Sequence, residues 1–219
     1  MANGTPINLV VEDQLGEQML RVLLAQSGRS FPIGAVYGKQ GNNYLKRTLL
    51  AFNNAAKGMA YFVFTDLDDR PCATVLIEDW FNCSIANYPE RCTANLLFRI
   101  AVREVESWIM ADRSAFAEFL GISVNKIPIQ TDTIPDPKQF LLNLARSSRK
   151  KDLRQDIVPN PGDSRQIGPD YNGRLSEFLH SSWQASAAEL HSSSLAKARK
   201  VVAAFHPVIP EQKCVNKQG

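Results

Sequence analysis

Apolar and polar positions alternate along the first half of the chain in blocks that predict strands and helices in turn. Between the strand-like runs, apolar residues recur at helical spacing, as at Leu15, Met19 and Val22. Four short apolar runs have the length and composition of buried strands: 7–11, 33–37, 61–65 and 96–102. The order β-α-β-α-β-α-β, followed by a helix, predicts an α/β protein with a parallel sheet flanked by helices.

Beyond about residue 113 the apolar spacing is helical throughout. Gly121 ends one predicted helix, and Asp136 followed by Pro137 opens another, since aspartate caps helices and proline suits their first turn. Ser194 is the predicted cap of a last helix. The chain therefore divides into an α/β core at 1–113 and a helical C-terminal extension at 114–219.

Carboxylates follow three of the predicted strands. Glu12 follows the first, Asp66 and Asp68 follow the third, and either Glu104 or Glu106 follows the fourth. The carboxyl ends of parallel strands meet at one edge of a sheet, where functional groups gather. Asp66 and Asp68 are two residues apart, so in an extended segment they point the same way and repel each other unless a cation lies between them. Such oxygen ligands suit Mg²⁺ or Mn²⁺; the alternative is a solvated acidic turn.

The two glutamates after the fourth strand differ in their candidate roles. Side chains two residues apart on a helix point to nearly opposite sides, so Glu104 and Glu106 are not expected to face the same way. Glu106 stands beside Val105 and Trp108 and is the better candidate for supporting the metal site. The alternative is a carboxylate that favours a helix start because of the macrodipole.

Basic residues offer candidate phosphate contacts. Lys39 lies in a loop after the second strand, where its amine can reach a phosphate oxygen. A basic cluster from Arg146 to Arg154, which includes Arg149, Lys150 and Lys151, is a candidate surface for a nucleic-acid backbone. Solvated surface charge is the alternative for both.

Composition adds a few limits. The chain has 219 residues, a net charge of +3 and 44% hydrophobic residues, which permits a nucleic-acid partner without requiring one. The cysteines show neither a CxxC pair nor zinc-like spacing with the histidines, so reduced thiols are expected: Cys72, Cys83, Cys92 and Cys214. With neither a signal-peptide pattern nor a membrane-length apolar run, we expect a cytoplasmic protein without a membrane partner, and a frayed tail after Pro210.

The acidic pattern resembles the Toprim fold of topoisomerases, primases and OLD-type nucleases. That family carries a glutamate after strand one and Asp-x-Asp after strand three, matched here by Glu12 and by Asp66 and Asp68. The chain also resembles small stand-alone Toprim-like proteins of the RloB-like and DUF4276-like families, which have an acidic residue after strand four, as at Glu106. The resemblance covers about the first half of the chain. The usual glycine after the first glutamate is Asp13 here, which alters the loop or adds a ligand.

The resemblance implies a Mg²⁺- or Mn²⁺-dependent nuclease for DNA or RNA. Glu12, Asp66 and Asp68 would hold the metal, with Glu106 as a further catalytic acid. Small proteins of this kind resemble effectors of anti-phage or toxin systems that act with an ATPase partner protein. The alternatives are a non-catalytic Toprim-fold binding subunit and a different Mg²⁺ enzyme, for which Glu12 would not be required.

Overall fold

Four parallel strands form the single sheet in the computed structural model, which describes residues 5–208. The strands are β1 (Ile7–Val11), β2 (Ile33–Gly38), β3 (Ala60–Asp66) and β4 (Leu96–Ala101), in the order β2-β1-β3-β4. The predicted α/β class and parallel sheet are confirmed.

Helices connect the strands and provide the main regular structure of the described chain after β4. Before β4 they are α1 (Gln14–Ala25), α2 (Asn42–Ala55), α3 (Ala73–Phe81) and α4 (Tyr88–Arg91). After β4 they are α5 (Val105–Ala111), α6 (Arg113–Leu120), α7 (Pro137–Arg146), α8 (Lys151–Ile157), α9 (Tyr171–Ser181), α10 (Ala185–Ala188) and α11 (Ser193–Ala204). Short 3-10 turns lie at Ile85–Asn87, Val124–Lys126 and Thr131–Thr133.

The strand register aligns the carboxyl ends of β1 and β2 with each other, and those of β3 and β4 two residues further along. Val11, the last residue of β1, pairs with Gly38 of β2 and with Phe64 of β3. Asp66, the last residue of β3, pairs with Ala101 at the end of β4. The residues that follow β1, β3 and β4 therefore emerge along the same edge of the sheet.

The sheet buries both faces, as alternation along its strands requires. One face carries Leu9, Phe62 and Phe64 and packs against α1, α5 and the helices that follow α5. The opposite face carries Val10 and Val63 and packs against α2 and α3. The C-terminal helices thus belong to the same hydrophobic core as the first face of the sheet.

Helix starts follow the local capping chemistry. Asp136 accepts a hydrogen bond from Gln139 N at 2.8 Å, and α7 begins at Pro137 as predicted. The predicted cap of the last helix is wrong by two residues: Ser192 accepts from Leu195 N at 3.1 Å and is the N-cap of α11. Ser194 lies inside the first turn, where its hydroxyl accepts a 2.7 Å hydrogen bond from Trp108 Nε1.

Two other expectations concern the cysteines and the absence of a membrane-spanning segment. Cys72, Cys83 and Cys92 are free thiols, whereas Cys214 and the tail after Pro210 lie outside the described residues. Between residues 5 and 208, a helix with the length and apolarity needed to cross a bilayer does not occur.

Candidate carboxylate site at the carboxyl end of the sheet

Glu12 ties the end of β1 to the end of β3. Its Oε1 accepts a hydrogen bond from the backbone N–H of Asp66 at 3.0 Å and another from the hydroxyl of Thr65. Burial raises the pKa of Glu12 to about 7, and the nearby charges of Asp68 and Asp13 add to the rise. The two hydrogen bonds act in the opposite direction and lower the pKa. The structure therefore places Glu12 beside the Asp-x-Asp segment, as the sequence predicts.

Asp66 joins the end of β3 to the start of α5. Its Oδ1 accepts a hydrogen bond from Val105 N at 2.9 Å, one of the free backbone donors of a helix start. Burial raises the pKa of Asp66 well above its ordinary value, and the charges of Glu106 and Glu12 raise it further. A half-buried acid surrounded by like charges favours either a proton or a cation.

Asp68 lies beyond the strand in a left-handed turn. The strand ends at Asp66, and Asp68 has a φ of 51°. The expectation that the two aspartates share one face of an extended segment is therefore wrong, because the backbone of Leu67 and Asp68 turns to donate to Arg103 O at 2.8 and 3.0 Å. The exposed Asp68 carboxylate accepts a weak hydrogen bond of 3.3 Å from Asn42 Nδ2.

Glu106 is the most buried acid of the group, with 1% of its surface exposed. Its Oε1 accepts a 2.8 Å hydrogen bond from the Tyr171 hydroxyl and lies 3.7 Å from Lys138 Nζ. Its Oε2 is buried without a hydrogen-bond partner among the described residues. Burial raises the pKa of Glu106 to about 7, although Lys138 opposes the rise.

Glu104 contacts Lys138 through the lysine backbone. It is the N-cap residue of α5, with an extended φ of −135°, so the helical spacing that separates it from Glu106 does not apply. Its Oε2 accepts a hydrogen bond from the backbone N–H of Lys138 at 2.9 Å. Burial raises the pKa of Glu104.

Lys138, in the first turn of α7, is the cation that lies next to Glu106 and Glu104. The charge of Glu106 is the largest cause of a raised Lys138 pKa, and Glu104 and Asp66 act in the same direction. Neither Lys138 nor Tyr171 was a sequence candidate. Asp136 and Pro137 predicted the start of α7, but only the packing of α7 against α5 brings its first turn to the carboxylates.

Asp13 has a capping role in the structure. Its Oδ1 accepts a 2.8 Å hydrogen bond from Gly16 N and begins α1. This oxygen is thereby held at the helix start. The side chain is exposed at the rim of a small pocket that Glu12 and Asp66 also line.

The basic candidates lie in different places. Lys39 Nζ is 2.5 Å from Oε2 of the buried Glu17, which also pairs with Arg21. Burial alone would raise the pKa of Glu17, but these two cations lower it. Lys150 and Lys151 line a cleft with Arg174 on another part of the surface, and the neighbouring Arg149 is exposed.

A polar cleft of about 570 Å³ opens beside the carboxylates. Acidic residues on its wall include Asp68 and Glu104, next to Lys138. The remaining lining residues are Asp69, Arg103, Pro135, Asp136, Gln139, Leu142, Arg146, Pro159, Arg165 and Gln166. A ligand in this cleft is therefore within reach of the carboxylate site.

The donor set fits a hard divalent cation in chemistry and charge. Carboxylate oxygens are the preferred ligands of Mg²⁺ and Mn²⁺, and Glu106 Oε2 is a buried oxygen that lacks a donor in the described chain. The side chains are not drawn together as a coordination shell: over residues 5–208, His, Cys, Asp and Glu do not form a group of three or more arranged to hold a metal ion. Binding would require side-chain rotation toward the ion.

Comparison of the chain with family models, curated proteins and solved structures found no match.

Proposed function

We propose that this protein is a Mg²⁺- or Mn²⁺-dependent nuclease with a Toprim-like core, which hydrolyses phosphodiester bonds of DNA or RNA. The proposal includes a helical C-terminal lobe, a cytoplasmic location and an ATPase partner of an anti-phage or toxin system. The motif resemblance of Glu12, Asp66 and Asp68 supports the reaction class. The wholly helical secondary structure that follows β4 in the described chain supports the lobe.

One observation carries the proposal: acidic groups outnumber cations at the carboxyl edge of the sheet. Five carboxylates lie there, and the charge of Lys138 acts on four of them, all except Glu12. They are Glu12, Asp66, Asp68, Glu104 and Glu106. The pKa of each of them is raised, with burial as the largest cause. Such a cluster costs stability at neutral pH unless protons or a cation neutralise it, which supports a cation site.

The residues of the chain have separable roles in this scheme. Glu12, Asp66 and Asp68 would hold the ion, which, when bound, supplies charge neutralisation and a water of lowered pKa. Thr65 and the backbone of Asp66 orient Glu12, and Val105 N orients Asp66. Tyr171 and Lys138 hold Glu106, whose pKa of about 7 suits proton transfer near neutral pH.

A non-catalytic binding subunit is the second candidate, and one observation favours it. Glu12 Oε1 and Asp66 Oδ1 already accept hydrogen bonds from protein donors, so each acid has a structural use without metal. A core that has lost catalysis would keep these contacts.

The test compares the purified protein with isosteric variants. Labelled single-stranded DNA, duplex DNA and RNA are incubated with Mg²⁺, Mn²⁺ or EDTA. We expect divalent-dependent cleavage that Glu12→Gln and Asp66→Asn abolish, and that Glu90→Gln, an exposed acid on α4, leaves intact. Circular dichroism checks that the variants fold.

Two results would count against the proposal. Cleavage retained by both Glu12→Gln and Asp66→Asn would remove the carboxylate site from the mechanism. Binding without cleavage, in the presence of either ion and of cell extract as a source of partners, would favour the binding subunit.

A further inference from the structure

A second cleft continues the one beside Asp68. It measures about 490 Å³, and Arg146 and Pro159 line both clefts. The remaining residues of the second cleft are Arg154, Gln155, Val158, Asn160 and Pro161. The two clefts therefore form one groove that leads from Asp68, at the carboxylate site, across α7 to α8. We call it the arginine groove.

Positive residues reach the arginine groove from separate parts of the chain. Arg103 lies between β4 and α5, Arg146 ends α7, Arg154 is in α8, and Arg165 is in the loop between α8 and α9. Their convergence is a result of tertiary folding and not of a local run of basic residues. The sequence cluster from Arg146 to Arg154 is itself divided, because Lys150 and Lys151 line a different cleft.

Neutral groups hold three of these guanidinium groups. Arg103 Nη1 donates to the carbonyl oxygens of Asp68 and Arg70, both at 2.9 Å. Arg154 Nη1 donates to Ser148 O at 2.8 Å, and Arg146 donates to the side chain of Asn143. Within the described chain, none of the three forms a salt bridge. Neutral groups thus position their charges without a direct ion pair, although acidic residues also line the first cleft.

Arg165 provides a contrast within the same groove. Its Nη2 lies 2.6 Å from Asp163 Oδ2, so its charge is paired locally. Fixed arginines with free charge are suited to phosphate, which accepts hydrogen bonds from the planar guanidinium group.

We propose that the arginine groove binds one strand of nucleic acid and leads its backbone to the carboxylates, with Arg103, Arg146 and Arg154 contacting successive phosphates. This inference rests on the proposed nuclease function and adds the form of substrate. The groove joins two open clefts of about 570 and 490 Å³, each with the volume of a small-molecule site, which suits the nucleotides of one strand better than a duplex.

Binding is measured without turnover, by fluorescence anisotropy in EDTA. The probe is a fluorescein-labelled oligothymidylate of about 15 nucleotides, near the upper site size of known single-strand binding folds. Arg146→Ala and Arg154→Ala are compared with Arg91→Ala. Arg91 is an exposed arginine that precedes β4, at the amino end of the sheet. Arg146→Glu is a further variant in case truncation alone is compensated by neighbours.

We expect each groove variant to weaken binding about fivefold to tenfold and to reduce the salt slope of log K by about 0.7, the value for one lost phosphate contact on a single strand. Arg91→Ala should match the wild type. The same oligonucleotide as a duplex should bind more weakly, and a mononucleotide should compete poorly.

The outcomes separate this inference from the nuclease proposal. Unchanged binding by Arg146→Ala, Arg146→Glu and Arg154→Ala would overturn the groove, even if the protein cleaves nucleic acid. Failure of the wild type to bind any single strand, or preference for the duplex, would also overturn it. Loss of binding in the groove variants, in a protein that does not cleave with either metal, would support the groove and reject the nuclease.

Discussion

The hydroxyl of Tyr171, at the start of α9, donates a buried 2.8 Å hydrogen bond to Oε1 of Glu106, in the first turn of α5. This contact links the helices that follow the sheet to the carboxylate site. It also favours the ionised form of Glu106, whose pKa burial has raised to about 7.

Tyr171→Phe should therefore destabilise the protein more at alkaline than at acidic pH. A hydrogen bond to a charged group contributes about 2 kcal/mol, and one between neutral groups about 1 kcal/mol. We expect losses of these sizes above and below pH 7 respectively, measured by urea denaturation. Tyr44→Phe is the control, because the Tyr44 hydroxyl makes no hydrogen bond within residues 5–208. An equal loss at both pH values would contradict the charged role of Glu106.

The raised pKa of Glu106 predicts a pH dependence of stability. The folded protein holds this proton up to about pH 7, whereas the unfolded chain releases it near 4.5. The contribution of Glu106 is therefore complete below pH 4.5 and is lost as pH rises to 7. The shift corresponds to about 3 kcal/mol.

The measurement is the difference in unfolding free energy between the wild type and Glu106→Gln. Relative to this variant, the wild type should lose stability between pH 4.5 and 7. Mg²⁺ or Mn²⁺ should restore part of the loss at neutral pH, because a bound cation favours the ionised acids. A difference that is flat across this range, or that grows with pH, would show that Glu106 is not destabilised by burial.

The left-handed turn at Asp68 allows its backbone and carboxylate roles to be separated. Its φ of 51° is easy for glycine and strained for alanine. Asp68→Gly should be more stable than Asp68→Ala by about 1 kcal/mol. Both variants should lose divalent-dependent cleavage, because both remove the carboxylate. Thermal melts and cleavage assays test the two parts, and equal stability of the variants would mean that the turn relaxes.

The strands and the acidic residues at their ends can be predicted from the sequence for a physical reason. Apolar runs such as 61–65 report burial on both faces of a parallel sheet, and the register then fixes that Glu12 and Asp66 emerge together. The position of the Asp68 side chain cannot be predicted in the same way. Alternation applies only while the chain stays extended, and backbone donors at Leu67 and Asp68 turn the chain toward Arg103 O.

Lys138 and Tyr171 were missed because their contribution is entirely tertiary. Lys138 lies in a helix that the sequence predicts, yet nothing local distinguishes it from a surface lysine. Tyr171 falls within 159–173, which the Pro, Gly and Asp content predicts to be a loop, and that prediction is wrong at its end because α9 begins at Tyr171. Their proximity to Glu106 depends on how α7 and α9 pack. Ser194 is a further case in which a tertiary contact decides the role of a residue. Its sequence position predicts a helix cap, but its hydroxyl accepts a hydrogen bond from Trp108 Nε1 instead.

The hydrogen bond from Trp183 Nε1 to the carbonyl oxygen of Trp108, at 3.0 Å, lies in the core that the sheet and the later helices share. A change of sequence pattern near residue 113 therefore does not mark a place where the molecule can be cut. A fragment that stopped there would leave the apolar side of α1 and α5 open to water, and it would aggregate before its acids could be assayed.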